Sequence, residues 1–335
     1  MKHVVALLAC VVLVLGACSG AGTAKSSDNG KGAGSAAAAA NDLLPSAPTT
    51  TATDPPADAT PSGPDFTVTA TEYAFAAPPV VTGGVVNLTF KNAGKERHEA
   101  LIVKVGDTPM DRVIADLDTV VKTPGQPIAP YLGFNGGVGT LNKGAEAKTS
   151  LTLPAGRYAI VCTLTDLDSV PGKLVPQGAI APALYAKGMY TPLTVKGDDG
   201  ASLPPGDGTL VATDYAFKLS PFTAGPHTYV FRNDSPAQPH FAAIGEFPAG
   251  VDAEAGRKAL EALFGATPGT APPEGTPQPV DVAFAEPLDP HSGATFQVTL
   301  EAGRTYSVTC FLSDRQGGQP HAVNQKMYAV FTVPG

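Results

Sequence analysis

Four side chains in the C-terminal part of the chain carry donors suited to a metal: His240, Cys310, His321 and Met327. In the run Tyr306 to Cys310, period-2 alternation places Tyr306, Val308 and Cys310 on one face, so the thiol ends a strand whose inward face is core. A turn-rich stretch, Phe-Leu-Ser-Asp-Arg-Gln-Gly-Gly-Gln-Pro, follows it, then His321, and Met327 closes the segment. Two imidazoles and a thiolate in a trigonal plane with a weak axial thioether form the donor set of a blue-copper site. Thiolate and thioether favour Cu(I) while imidazole accommodates Cu(II), so both oxidation states are held with little rearrangement.

The elements that must position these donors occur twice. Glu72-Tyr73-Ala74-Phe75 recurs as Asp214-Tyr215-Ala216-Phe217, Phe90-Lys91-Asn92 as Phe231-Arg232-Asn233, and His98 as His240. The segment Ala155 to Cys162 is answered by Ala302 to Cys310, and Met189-Tyr190 by Met327-Tyr328. The period is far longer than a solenoid repeat, so each copy is expected to be a complete domain, with turn chemistry between Gly197 and Gly208 as the boundary. Short β-branched and aromatic runs predict strands at Phe66 to Thr71, Val85 to Phe90, Leu101 to Val105, Thr149 to Leu153 and Tyr158 to Thr163 in the first copy. In the second they fall at Thr209 to Thr213, Thr228 to Arg232, Ala294 to Leu300, Tyr306 to Phe311 and Tyr328 to Val333. Many short strands with Gly/Pro turns predict an all-β antiparallel sandwich. One helix is expected in each His-to-Cys loop, at Met110 to Val121 and Asp252 to Phe264, the second ending at Gly265.

At the upstream His and the closing pattern Cys-Phe-Leu, Pro-His and Met-Tyr-Ala-Val-Phe-Thr-Val, the sequence resembles the cupredoxin family, the plastocyanin and azurin group, in a bacterial lipoprotein form. The resemblance spans both copies. It implies two tandem Greek-key β-sandwiches, 65–197 and 206–335, and single-electron transfer as the activity. It also implies His240, Cys310 and His321 as equatorial ligands of one copper in the second domain, with Met327 axial. Lys326 departs from the pattern, since relatives place Gly before the Met and use a step one residue shorter.

The first copy keeps His98, Cys162 and Met189, with Lys187-Gly188 before the Met, and lacks a second His. Ala183 stands where the step from His321 to Met327 would put one, and Asp166 or Asp168 are the substitutes at hand. The first domain is therefore expected to be a degenerate, copper-free relative, with His98 a satisfied polar residue. The competing use of the two thiols is a disulfide between Cys162 and Cys310, which requires their Cα atoms to meet within about 7 Å. His227 and His291 follow prolines and read as turn or strand-edge residues.

The N-terminus sets the compartment. A basic start and the apolar run Val4 to Leu15 make an export signal too short to span a bilayer, and Leu15-Gly16-Ala17-Cys18 resembles a lipobox. Cleavage after residue 17 removes Lys2 and Cys10 and leaves an acylated Cys18 as the attachment to membrane lipid, at the outer face of the bacterial plasma membrane. Residues 18–64, poor in large apolar side chains and rich in Ala, Gly, Ser, Thr and Pro, read as a disordered tether.

A formal charge of −8, with no cluster of Lys and Arg, argues against a nucleic-acid partner and suits a basic redox partner protein. Trinuclear copper oxidases need His-x-His pairs, and none of the six His forms one, so an enzyme is not expected. Copper delivery and a metal-free interaction module on the same scaffold are the alternative readings.

Overall fold

The computed structural model describes residues 64–123, 125–165, 182–197, 200–265 and 272–335. The predicted signal, the tether and Cys18 lie outside them, as do Asp166 and Asp168. The described chain is all-β apart from short helices. Its first half comprises β1 (Asp65–Thr71), β2 (Ala74–Ala76), β3 (Val80–Thr82), β4 (Gly84–Asn92), β5 (His98–Lys104), helix α1 (Met110–Lys122), β6 (Gly133–Leu141), β7 (Glu146–Leu153), β8 (Gly156–Val161) and β9 (Tyr190–Lys196). The second half comprises β10 (Gly208–Thr213), β11 (Ala216–Leu219), β12 (Gly225–Asn233), β13 (His240–Glu246), α2 (Ala253–Gly265), β14 (Val280–Leu288), β15 (Ser292–Leu300), β16 (Thr305–Thr309), α3 (His321–Asn324) and β17 (Tyr328–Thr332).

The strands follow from alternation. β1 buries Phe66, Val68 and Ala70, and β4 buries Val86, Leu88 and Phe90. The two pair in parallel with Phe66 beside Leu88 and Val68 beside Phe90, so both rows face the same core. β10 and β12 do the same with Leu210 beside Phe231. One sheet runs β11-β10-β12-β15-β7-β4-β1-β2 and the other β17-β16-β13-β14-β6-β5-β8-β9-β3. A single apolar cluster draws residues from both sheets, including Leu88, Ile102, Phe231 and Ile244.

Both sheets continue from one half into the other. In the first, Ala294 of β15 pairs with Leu151 of β7, and the buried Thr149 and Thr295 complete the join. Thr149 Oγ1 donates to the Thr295 carbonyl at 2.7 Å, and Thr295 Oγ1 accepts from the Ser150 N–H at 2.8 Å. In the second sheet Leu288 of β14 pairs with Asn135 of β6. Neither β6 nor β14 stands out in the sequence. The run Gly133–Leu141 is rich in glycine because a bulge presses β6 onto β5: Gly137 has φ 141°, and a Cβ there would fall 2.1 Å from the Ala100 carbonyl oxygen.

The two predicted helices are present. α1 buries Val113 and Leu117 in a cluster with Leu101, Val103 and Val161. α2 starts after Asp252, whose carboxylate accepts from the Ala255 N–H at 2.8 Å as an N-cap, and it buries Ala259 and Leu260 against Phe247. Among the described residues no helix is long and apolar enough to cross a membrane.

Candidate metal centre

Three backbone elements converge at one end of the second half. His240 opens β13, Cys310 immediately follows β16, and His321 opens α3. β16 pairs antiparallel with β13, Ala243 opposite Thr309, which brings the start of one strand beside the end of the other. The loop from Cys310 to Met327 is closed on itself by backbone hydrogen bonds. His321 N–H donates to Leu312 O at 2.7 Å, Ala322 N–H to Cys310 O at 2.9 Å, Met327 N–H to His321 O at 3.0 Å, and Cys310 N–H to Met327 O at 3.2 Å. Cys310, His321 and Met327 are therefore each fixed through their own main chain.

The thiol sulfur of Cys310 lies 3.7 Å from His240 Nδ1 and 3.5 Å from His321 Nδ1. The three donor atoms all lie within 4.8 Å of one another, and all three residues are buried. Bonds of about 2.0 Å to nitrogen and 2.3 Å to thiolate, meeting near the trigonal angle, subtend separations of this size, so a metal ion fits between the donors. Met327 is wholly buried and is tied by its main chain to both His321 and Cys310. The His-Cys-His-Met set fits a blue-copper centre.

Burial keeps protons off both imidazoles and on the thiol. Burial holds the His240 imidazole down to about 3, with His321 pushing the same way and Asp314 opposing. His321 is lowered as well, again by burial against the pull of Asp314. Both rings therefore present neutral nitrogen at ordinary pH. Burial pushes the Cys310 thiol up to about 12, so a bound cation must supply the charge that stabilises the thiolate.

A second layer of contacts orients the donors. His321 Nε2 lies 3.2 Å from Asp314 Oδ1, and the Tyr215 hydroxyl donates to the same oxygen at 2.8 Å. With the proton on Nε2 given to Asp314, the lone pair of Nδ1 points toward Cys310. The Tyr215 ring packs edge-on to His321 at 5.2 Å and to His240 at 6.3 Å. Tyr215 and Asp314 were not foreseen as part of the site. Tyr215 stood in the sequence only as a marker of the repeat, and it sits in the β10–β11 turn with a left-handed φ of 58°.

The first half also holds the Cys310–His321 loop. Arg315 donates from Nη1 to Leu132 O at 2.9 Å and ion-pairs with Asp289. Ile128 N–H donates to Arg315 O at 2.8 Å, and Gly318 N–H to Gly125 O at 2.9 Å. Gly125 and Gly317 have φ of 86° and 88°, and a Cβ on either would strike the opposing backbone at 2.5 or 2.4 Å.

Of the residues predicted in the first half, Cys162 and Met189 are wholly buried and His98 is 1% exposed. Their main chain repeats the second-half pattern: Leu184 N–H donates to Leu164 O, Tyr185 N–H to Cys162 O, Met189 N–H to Leu184 O, and Cys162 N–H to Met189 O. The position equivalent to His321 is thus Leu184 and not Ala183, because the first loop is one residue shorter before its Met. Lys326, directly before Met327, adopts φ 54°, the hand that its counterpart Gly188 takes at φ 96°, so the extra residue of the second loop lies between His321 and Lys326. Cys162 and Cys310 are both free thiols, so the disulfide reading does not hold. His227 lies 3.3 Å from Asp207, and His291 sits in the β14–β15 turn with φ 62°.

No family model and no curated protein matches the sequence. Solved structures do. The chain is similar to the dithionite-reduced auracyanin of the photosynthetic bacterium Roseiflexus castenholzii, with 23% identity over 41% of this chain and 99% of that one, and a TM-score of 0.29. It is similar to auracyanin A, a "blue" copper protein of Chloroflexus aurantiacus, with 21% identity over 40% of this chain and all of that one, and a TM-score of 0.25. A multicopper oxidase is matched over 80% of this chain and 88% of its own length, with 14% identity and a TM-score of 0.20.

Proposed function

We propose that the chain is a mononuclear blue-copper protein that carries single electrons outside the cytoplasm, held to the membrane through an acylated Cys18. In this reading it is built as two cupredoxin-like units, 65–197 and 206–335, with one copper in the second. The observation that carries the reading is the buried triangle of His240 Nδ1, Cys310 Sγ and His321 Nδ1, closed by the main chain of Met327.

Copper bound by such a set supplies a one-electron couple whose two states share one ligand geometry. The chain supplies the rest. Backbone bonds at all three loop residues, the Asp314 contact and the Arg315 anchor hold the donors in place, so little rearrangement accompanies a change of charge. Burial excludes water as a further ligand. A carrier is favoured over an oxidase because the sequence contains no His-x-His pair from which a trinuclear centre is built. The N-terminal leader, the Cys18 motif and the polar tether support an anchored protein that reaches a partner at the outer face of the membrane.

The test is titration of the full chain with Cu(II), alongside Cys310→Ser. An intense visible band from thiolate-to-copper charge transfer, absent in the variant, together with reversible one-electron cycling, is expected. A colourless chain sinks the carrier. A band without reversible cycling, but with ready surrender of Cu(I) to a chelator, favours copper delivery.

A further inference from the structure

None of the four candidate donors reaches the surface. His240, Cys310 and Met327 are wholly buried, and His321 is 1% exposed. A carrier meets its partner at the surface, so some side chain has to bridge the gap between ligand and solvent. The Arg315 contacts lay the segment from Gly125 to Leu132 against the loop between Cys310 and His321, and that flank of the loop is covered by protein.

Tyr215 stands between the donors and solvent. It is partly exposed, and its neighbours in the β10–β11 turn, Asp214 and Ala216, are exposed. Its ring meets His321 edge-on at 5.2 Å and His240 at 6.3 Å, both within the range of packed aromatic pairs. Its hydroxyl is held by the bond to Asp314, so the ring is fixed in that position. The first half offers an internal comparison. Tyr73 occupies the equivalent turn with the same hand, φ 60° against 58°, yet it is 4% exposed and Lys187 Nζ lies 5.6 Å over its ring. The half that assembles the donor triangle is the one that leaves its turn tyrosine open to solvent.

We infer that Tyr215 is the electron port of the second-half centre: its ring bridges His321 and His240 to the surface and screens the donors from water. The inference rests on the carrier reading above. Electronic coupling falls steeply with distance and is carried better by packed atoms than by loose water, so a ring in contact with two ligands at once is the favoured bridge. When two copies exchange an electron, one centre loses what the other gains, and no bond forms or breaks. Tyr215 is neither oxidised nor deprotonated, and its proton stays in the bond to Asp314. The partner that fits is a protein whose own redox group approaches this turn. Asp214 and Asp314 beside the ring suit a basic rim around that group.

The experiment measures electron self-exchange in the copper-loaded full chain, a reaction between copies that has no driving force, so a shifted potential drops out. Tyr215→Leu should slow it several-fold with the visible band kept, since every encounter crosses two altered ports. Tyr215→Phe retains the ring and should exchange at close to the parental rate; slowing as great as in the leucine variant assigns the effect to the Asp314 contact and overturns the port. Phe311 is the rival exit, because it is bonded to Cys310, partly exposed, and packed with Phe241 at 6.1 Å and Phe264 at 5.8 Å. Phe311→Leu should leave the rate unchanged, and a loss matching that of Tyr215→Leu overturns the inference. Alkylation of Cys310 in the copper-free chain, located by peptide mass, reads the screening without copper. Tyr215→Leu should speed it several-fold, and equal labelling means that the ring does not cover the donors, which also overturns the inference. A parent that takes up no copper sinks the carrier reading as well, whereas a parent whose exchange rate is indifferent to residue 215 sinks the port alone.

Discussion

Arg315, midway between Cys310 and His321, donates to the main-chain oxygen of Leu132 in the other half of the chain at 2.9 Å. The contact fastens the loop that carries the candidate ligands to the loop between α1 and β6. It is reinforced by the Asp289 ion pair and by backbone bonds to Ile128 and Gly125. The metal centre is thus framed by both halves, although its donors all come from one.

Arg315→Ala is expected to lower unfolding stability by about 2 kcal/mol, since hydrogen bonds from a charged, largely buried group are lost. Asp289, already raised by burial with Arg315 as the largest opposing influence, then becomes an uncompensated carboxylate. Copper should still bind, with slower electron self-exchange as the loop loosens. A denaturation midpoint and an exchange rate both equal to those of the parent would show that the clasp is idle.

Asp314 and Tyr215 are predicted to move the reduction potential in opposite directions. The Asp314 carboxylate accepts from His321 Nε2 and makes the ring a stronger donor, which favours Cu(II). Asp314→Asn should therefore raise the potential and weaken Cu(II) binding by about 10–100-fold. Tyr215 donates to the same carboxylate and draws charge from it, so Tyr215→Phe should lower the potential. Voltammetry of the two variants decides, and shifts of the same sign would remove the chain of influence from Tyr215 through Asp314.

The donors were legible because His, Cys and Met are few and their types alone define a chemistry. The strand that leads to Cys310 was legible from alternation, as in Tyr306 and Val308, whereas β13, which His240 opens, and the short helix that His321 opens were not predicted. What the sequence concealed depends on contacts between distant segments. β6 hides behind glycines that a bulge requires, and Asp314 and Arg315 look like ordinary loop polar residues until Tyr215 and Leu132 are placed beside them. Ala183 was taken for the His321 position because a six-residue step was carried onto a loop that runs one residue shorter, five from Leu184 to Met189.

Lys326→Gly is expected to stabilise the protein. Lys326 is held at φ 54°, a left-handed conformation that costs a residue with a Cβ about 1–2 kcal/mol, whereas the equivalent Gly188 bears no such cost. Part of the gain is offset by the greater unfolded-state freedom of glycine, leaving about 0.5–1 kcal/mol. A higher urea midpoint with an unchanged visible band is the expected result. A lower midpoint would mean that the lysine side chain contributes more than its backbone costs.

Glu286→Gln is expected to change how stability depends on pH. Glu286, on β14, lies over Gly139 of β6, where a Cβ would fall 2.7 Å from its Oε1, with Glu99 on the adjoining strand β5. Burial, with Glu99 adding repulsion, pushes the Glu286 carboxyl well above the ordinary carboxylate range. A raised folded-state value means that the folded protein keeps a proton the unfolded chain releases, so stability is lost as pH rises from about 4.5 through neutrality. The amide has no proton to release and escapes this loss. The variant should therefore match the parent near pH 4.5 and exceed it increasingly toward pH 8, by an amount on the order of 1–2 kcal/mol. Urea midpoints measured across that range check the sign, and an advantage that shrinks as pH rises would mean that Glu286 ionises in the folded protein more readily than in the unfolded chain.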